Sequence, residues 1–174
     1  MTLIRALAAC AIASWLGACA TIPPPAPLPA LERAPQSFEM SGRLSVRLAE
    51  RSEIARLRWT RRGREDLWVI ASPLGNEVAR LRSDPSGATL SGPSEEKADS
   101  FAALTERLLG VALEPSELAS WLHGKVPPQA AGGWTVTLDE TQRAGEVDLA
   151  KRLTARRGDV VVRLVVDDYR ALGD

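Results

Sequence analysis

From Phe38 onward, apolar residues recur at every second position, and that period of two commits most of the chain to sheet structure. Phe38, Met40, Leu44, Val46 and Leu48 alternate with Glu39, Ser41, Arg43, Ser45 and Arg47, with Gly42 as a bend or bulge. Ala55, Leu57 and Trp59 alternate with Arg56, Arg58 and Thr60, and residues 67–71 are almost wholly apolar. Further strands are expected over 76–82 and 88–91, at Trp134, Val136 and Leu138, over 147–154 and over the β-branched run 160–166. Turns fall at Gly63, at Ser72-Pro73-Leu74-Gly75, at Asp84-Pro85-Ser86-Gly87 and over 156–159. Two stretches keep helical spacing instead. Residues 99–110 place Phe101, Leu104 and Leu108 on one face and end at Gly110; residues 115–124 open on Pro115, align Leu118, Trp121 and Leu122, and end at Gly124. The expected fold is mainly β, of the α+β kind: a curved antiparallel sheet with helices packed on one side.

Before this domain stands a different kind of sequence. Residues 1–18 combine a charged start at Arg5, about ten apolar or small residues and the close Leu16-Gly17-Ala18, the pattern of an exported leader. The segment is too short to span a bilayer, which takes ~20 apolar residues. Leu16-Gly17-Ala18-Cys19 resembles the lipobox of bacterial lipoproteins, and that resemblance implies an S-diacylglycerol and an N-acyl chain on Cys19. Leu7-Ala8-Ala9-Cys10 has the same local pattern, but a cut there leaves almost no apolar core, so Cys10 is read as leader. Residues 19–35 then form a tether, with prolines at 23, 24, 25, 27, 29 and 35. The sixteen residues after Cys19, at ~3.1 Å each, reach roughly 50 Å. Ala20, not aspartate, follows the cysteine, and by resemblance to the enterobacterial sorting rule this points to the outer membrane. Residues 36–174 make one domain.

Charge and residue types restrict the chemistry. The chain has 22 basic and 22 acidic residues, and loss of Arg5 leaves 21 against 22, so no general steering toward nucleic acid is expected. With Cys19 the only cysteine after the leader, an intramolecular disulfide and a cysteine-based metal site are both excluded. His123, the single histidine, sits at the end of the shorter helix, where a surface position favoured by the helix dipole is expected. No phosphate loop, metal-ligand spacing or nucleophile elbow is present in the sequence. Arg157-Gly158-Asp159 reads as a hairpin turn, and residues 51–64 chiefly as an arginine-rich solvated strand face. No catalytic residue, metal or cofactor is expected.

The ordered motifs resemble those of the LolB family of lipoprotein receptors. They are Phe38 with Gly42-Arg43-Leu44, Trp59, Ser72-Pro73-Leu74-Gly75, Leu109-Gly110-Val111, Leu118 with Trp121-Leu122 and Gly124, and Gly133-Trp134. The resemblance covers almost the whole domain. It implies an incomplete antiparallel β-barrel closed by helices over an apolar cavity. It also implies a monomeric, non-catalytic protein, lipid-anchored on the periplasmic face of the outer membrane. Such a protein takes triacylated lipoproteins from the periplasmic carrier LolA and delivers them to the inner leaflet of the outer membrane. Three chains of ~15 methylenes at ~0.8 kcal/mol each represent roughly 35 kcal/mol of apolar burial, so they must pass between sheltered sites. Leu74 matches the family's membrane-insertion position; its other reading is a leucine folded back on the sheet. Met40, Leu44, Val46, Leu57, Trp59, Trp121 and Leu122 are candidates to line the cavity, against plain core packing for each.

Two other classes of function stand beside this one. An assembly lipoprotein would use the sheet edge or tip to bind another protein and would need no lipid cavity. An anchored wall- or lipid-modifying enzyme would need the paired titratable groups that the sequence does not offer.

Overall fold

A computed structural model of the chain describes residues 35–126 and 131–173. The leader, Cys19 and all of the tether but Pro35 lie outside them. The elements are β1 (Ser37–Leu48), β2 (Arg51–Arg62), β3 (Glu65–Ala71), β4 (Glu77–Asp84), β5 (Gly87–Ser91) and β6 (Glu96–Ala98), then helices α1 (Phe101–Leu109) and α2 (Pro115–Leu122), a single 3₁₀ turn (Ala131–Gly133), and β7 (Thr135–Ala144), β8 (Val147–Arg157) and β9 (Val160–Ala171). All nine strands form one antiparallel sheet in the order β6-β5-β4-β3-β2-β1-β9-β8-β7. The expected architecture is the one observed: an open, curved antiparallel sheet with two helices.

The period of two sets which face is inside. Met40 pairs with Trp59, Trp59 with Trp68, and Trp68 with Leu81, so one row of large apolar side chains crosses four strands. The opposite face carries Arg43 paired with Arg56, then Arg58, Val69 and Arg80 in register. In residues 67–71, alternation alone does not show which positions face in. Pairing settles it: Trp68 is buried, while Leu67 and Val69 remain half-buried on the outer face.

Helix α1 starts where Ser100 accepts a hydrogen bond from the Ala103 N–H, and it ends on Gly110 at φ 70°. Pro115 opens α2, whose buried face is Pro115, Leu118, Trp121 and Leu122. The late strands are longer than the alternation suggests. β7 and β8 run to a turn at Gly145, and the β8–β9 turn is confined to Gly158 and Asp159, with Arg157 still in the strand. The three-residue β6 was not expected. It is too short for periodicity to register, and it pairs with β5 just before α1.

The chain's two halves join where β1 lies against β9. Register shifts there at Gly42, opposite Val166, so that Asp167 is the extra residue of a bulge. A Cβ on Gly42 would overlap the Val165 carbonyl oxygen. Gly42→Ala should therefore destabilise the domain by about 1–3 kcal/mol or more, read as a lower urea midpoint at unchanged slope.

Candidate functional site

Two features of this sheet bear on function, its helix-covered face and one exposed loop. On the covered face an aromatic chain runs from α1 to β9. Phe101 meets Trp68 at 4.8 Å between ring centroids, Trp68 meets Trp59 at 5.2 Å, Trp59 meets Phe38 at 4.9 Å, and Phe38 stacks on Tyr169 at 5.6 Å. Trp121 of α2 packs separately on Trp134 at 5.8 Å. Of the expected lining residues, Met40, Val46, Leu57, Trp59, Trp121 and Leu122 are buried in one apolar core, with Leu44 half-buried against it. The structure thus brings all seven to the same interior. Aromatic rings make up much of that interior. Phe38, Trp68, Phe101, Leu104, Leu113 and Tyr169 belong to the same interior and were not singled out beforehand. Phe38, Phe101 and Leu104 carried a usable signal, since alternation and helical spacing already set them on apolar faces; Trp68 lay in a run apolar on both faces.

Polar groups are buried at one end of this face. His123 is 1% exposed and not the surface residue expected. Its Nδ1 lies 2.7 Å from the Ala119 carbonyl and its Nε2 lies 2.8 Å from the Tyr169 hydroxyl. A carbonyl only accepts, so Nδ1 carries the proton and Nε2 accepts from tyrosine. The helix dipole argument fails because packing against Phe38 and Tyr169 takes the ring out of solvent. Asp66 is buried nearby; it accepts from Trp59 Nε1 at 2.7 Å and pairs with Arg61 at 3.3 Å. Arg61 is accordingly withdrawn from the solvated face expected for residues 51–64. Burial raises the Asp66 pKa, against the opposing pull of the Trp59 hydrogen bond and the Arg61 charge. The Trp68 Nε1 is also buried but has no hydrogen-bond partner among the described residues. That is an uncommon and costly state.

The exposed loop joins β3 to β4. Ser72 N–H donates to the Asn76 carbonyl and Gly75 N–H to the Ser72 carbonyl, both at 2.8 Å, which closes a tight turn. Gly75 adopts φ 95°, a conformation that disfavours side chains. Leu74 stands on this turn 90% exposed. It does not fold back on the sheet.

The model of the family described as "Outer membrane lipoprotein LolB" matches residues 36–169. The chain belongs to the LolB family. An outer-membrane lipoprotein LolB of Azoarcus sp. (strain BH72) is 32% identical, over 94% of this chain and 94% of the relative. Another, from Chromobacterium violaceum, is 32% identical over 97% of this chain and all of the relative. A solved DUF1329 family protein from Desulfovibrio piger is 7% identical with a TM-score of 0.51, covering 80% of this chain and 88% of that one. That likeness concerns the fold alone. Membership of the LolB family makes the chain an outer-membrane lipoprotein rather than an enzyme. Among the described residues no helix is long and apolar enough to cross a membrane, and no cluster of His, Cys, Asp and Glu could hold a metal ion.

Burial lowers the His123 pKa, the Ala119 carbonyl opposes this, and Lys125 and Arg61 add to it. The folded state thus holds the ring neutral, while the unfolded chain protonates it near pH 6.5. Stability from this site is complete above that pH and declines as pH falls below it. Unfolding free energies from pH 8 to 5 should show the decline, and His123→Asn should flatten it.

Proposed function

We propose that this LolB-family chain is the outer-membrane receptor that accepts acylated lipoproteins from the carrier LolA and inserts them into the inner leaflet. In this reading Cys19 carries the diacylglycerol and the N-acyl chain that hold the domain on the periplasmic face. The transfer uses no nucleotide, so cargo moves toward the site with the higher affinity. The observation that carries the reading is Leu74, almost fully exposed on a tight turn that Gly75 allows to close. An exposed apolar side chain of that size on a tip favours contact with another apolar phase.

The interior serves as the acyl site. Met40, Leu44, Val46, Leu57, Trp59, Trp121 and Leu122 line it, and chains enter as the helices part from the sheet. Without cargo these residues belong to one apolar cluster, so the acyl chains exchange contacts between side chains for contacts with lipid. Trp68 supports the reading, because its unpartnered indole N–H is a donor that a lipid ester carbonyl would satisfy.

Leu74→Glu should leave acceptance from the carrier intact and cut incorporation into outer-membrane vesicles by roughly tenfold, since a charge near the bilayer centre costs ~2.5–3.5 kcal/mol and less toward the interface. Transfer of a labelled lipoprotein measures both steps, and full incorporation by this variant would remove the tip from the mechanism. Trp68→Phe deletes the orphan donor. It should raise the stability of the empty protein by about 1 kcal/mol while weakening retention of acylated cargo. If retention is unchanged, the indole lies outside the acyl site.

A further inference from the structure

Leu74 is not alone at its end of the sheet. The large apolar side chains exposed among the described residues are Leu48, Ile54, Leu74, Val78 and Leu108. Register puts them together. Leu48 ends β1, and Ile54 stands two residues past Arg56, which pairs with Ala71 at the base of the Leu74 loop. Val78 leaves the same loop on the other side, at the irregularity between β3 and β4. Leu108 lies in the last turn of α1, and the capping Gly110 comes against the Leu48 side chain. The opposite end of the sheet, with the β2–β3 and β4–β5 turns, has none of them.

Behind Ile54, Leu74 and Val78 the outer face is cationic. Arg43 pairs across the strands with Arg56, and Arg58 and Arg80 lie on either side of Val69. Arg43 is bridged to Asp167 and Arg80 to Glu77, whereas no ion pair among the described residues engages Arg47, Arg56 or Arg58. The acids of the same hairpin lie off this face, Glu50 in its turn and Glu53 opposite the inward Val46. An apolar edge with Arg56 and Arg58 two and four residues behind Ile54, a rise of about 7–13 Å, matches the layering of acyl chains beneath anionic headgroups.

The tether fits the same orientation. It joins the domain at Ser37, which pairs with Arg62 at the far end of the sheet. The twelve residues of β1 span roughly 40 Å, and the sixteen of the tether reach roughly 50 Å. An anchor at Cys19 therefore leaves enough chain for the far edge to touch the membrane that holds the lipid.

We infer that this whole edge is a membrane-docking surface, in which Ile54 and Val78 enter an anionic bilayer beside Leu74 while Arg56 and Arg58 contact its headgroup phosphates. The inference rests on the insertion role proposed for Leu74 and extends it from one residue to a surface with a lipid preference.

The test uses the full lipidated chain, in which the acylated Cys19 leaves an introduced cysteine as the single reactive thiol. Ile54→Cys, Leu74→Cys, Val78→Cys and, at the opposite end, Arg64→Cys are each labelled with an environment-sensitive dye and reconstituted in vesicles. Phosphatidylethanolamine vesicles containing phosphatidylglycerol should shift the emission at 54, 74 and 78 to shorter wavelength and leave 64 aqueous. Replacing the phosphatidylglycerol by phosphatidylcholine should reduce the docked fraction at least about threefold, and R56Q with R58Q should abolish that difference. A shift at 74 with 54 and 78 aqueous overturns the surface but leaves the single-leucine reading standing. No shift at any of the three overturns both. A shift at 64 equal to that at 54 overturns the orientation, and equal docking to both compositions overturns the anionic partner.

Discussion

The contact between β1 and β9 is the constraint on which the rest of this structure depends. β1 is flanked by β2, its neighbour in sequence, and by β9, which follows both helices and the β7–β8 hairpin. Without that long-range pair the two groups of strands would be separate hairpin stacks, each exposing an apolar face. Gly42 makes the pairing possible because the Val165 carbonyl occupies the space a side chain would need. The bulge beside it also turns the sheet. Bulges bend the bulged strand and increase local twist, and here the bend brings Tyr169 and Phe38 together under His123.

The interior is unequal along its length. Near Ser37 it is held by directional bonds: Asp66 between Trp59 and Arg61, and His123 between Ala119 and Tyr169. Satisfied buried networks of this kind fix a single arrangement. Toward Leu48 the inward residues are Leu44, Val46, Leu57, Val162 and Leu164, whose contacts are non-directional and exchangeable. One end of the domain is thus bolted and the other merely packed. A packed apolar end can admit other apolar groups at little cost in hydrogen bonds, whereas the bolted end cannot.

Strand positions and facing were legible in the sequence wherever apolar and polar residues alternate, as from Phe38 to Leu48 and from Ala55 to Trp59, whereas the pairing of β1 with β9 was not. They were not legible in residues 67–71, where both faces are apolar and only the pairing of Trp68 with Trp59 decides the inside. The late hairpin was read short because Asp139, Glu140 and Gln142 break the alternation. Bulges there shift the register, and Lys151 pairs with Glu140 at the surface. Leu74 was placed on its turn by Pro73 and Gly75, and its exposure follows from that chemistry. His123 was misplaced for a physical reason. A helix terminus predicts solvent only when nothing packs on it, and its partner Tyr169 is 46 residues away. Likewise the sequence identified which side chains face inward, but how much space they leave depends on how the helices settle on the sheet.

The division between ends also bears on how cargo can leave. In the proposed reading, chains that displaced the groups around Asp66 and His123 would break their bonds on entry and strand charged or polar groups in apolar surroundings. Chains that enter from the packed end, past Val46 and Leu57 toward Trp59 and Trp68, leave those bonds unbroken, and that end carries the exposed leucines, isoleucine and valine. In the proposed reading, exit and membrane contact then share one edge, so the chains would not need to cross water between them. The proposed anchor at Cys19 adds to this, because it would attach at the other end through a segment long enough to fold past the domain. A tether joined at the greasy edge would hold the mouth against the membrane at all times and obstruct a soluble donor. Joined at the far end, as proposed, it would let the same edge face either the donor or the bilayer.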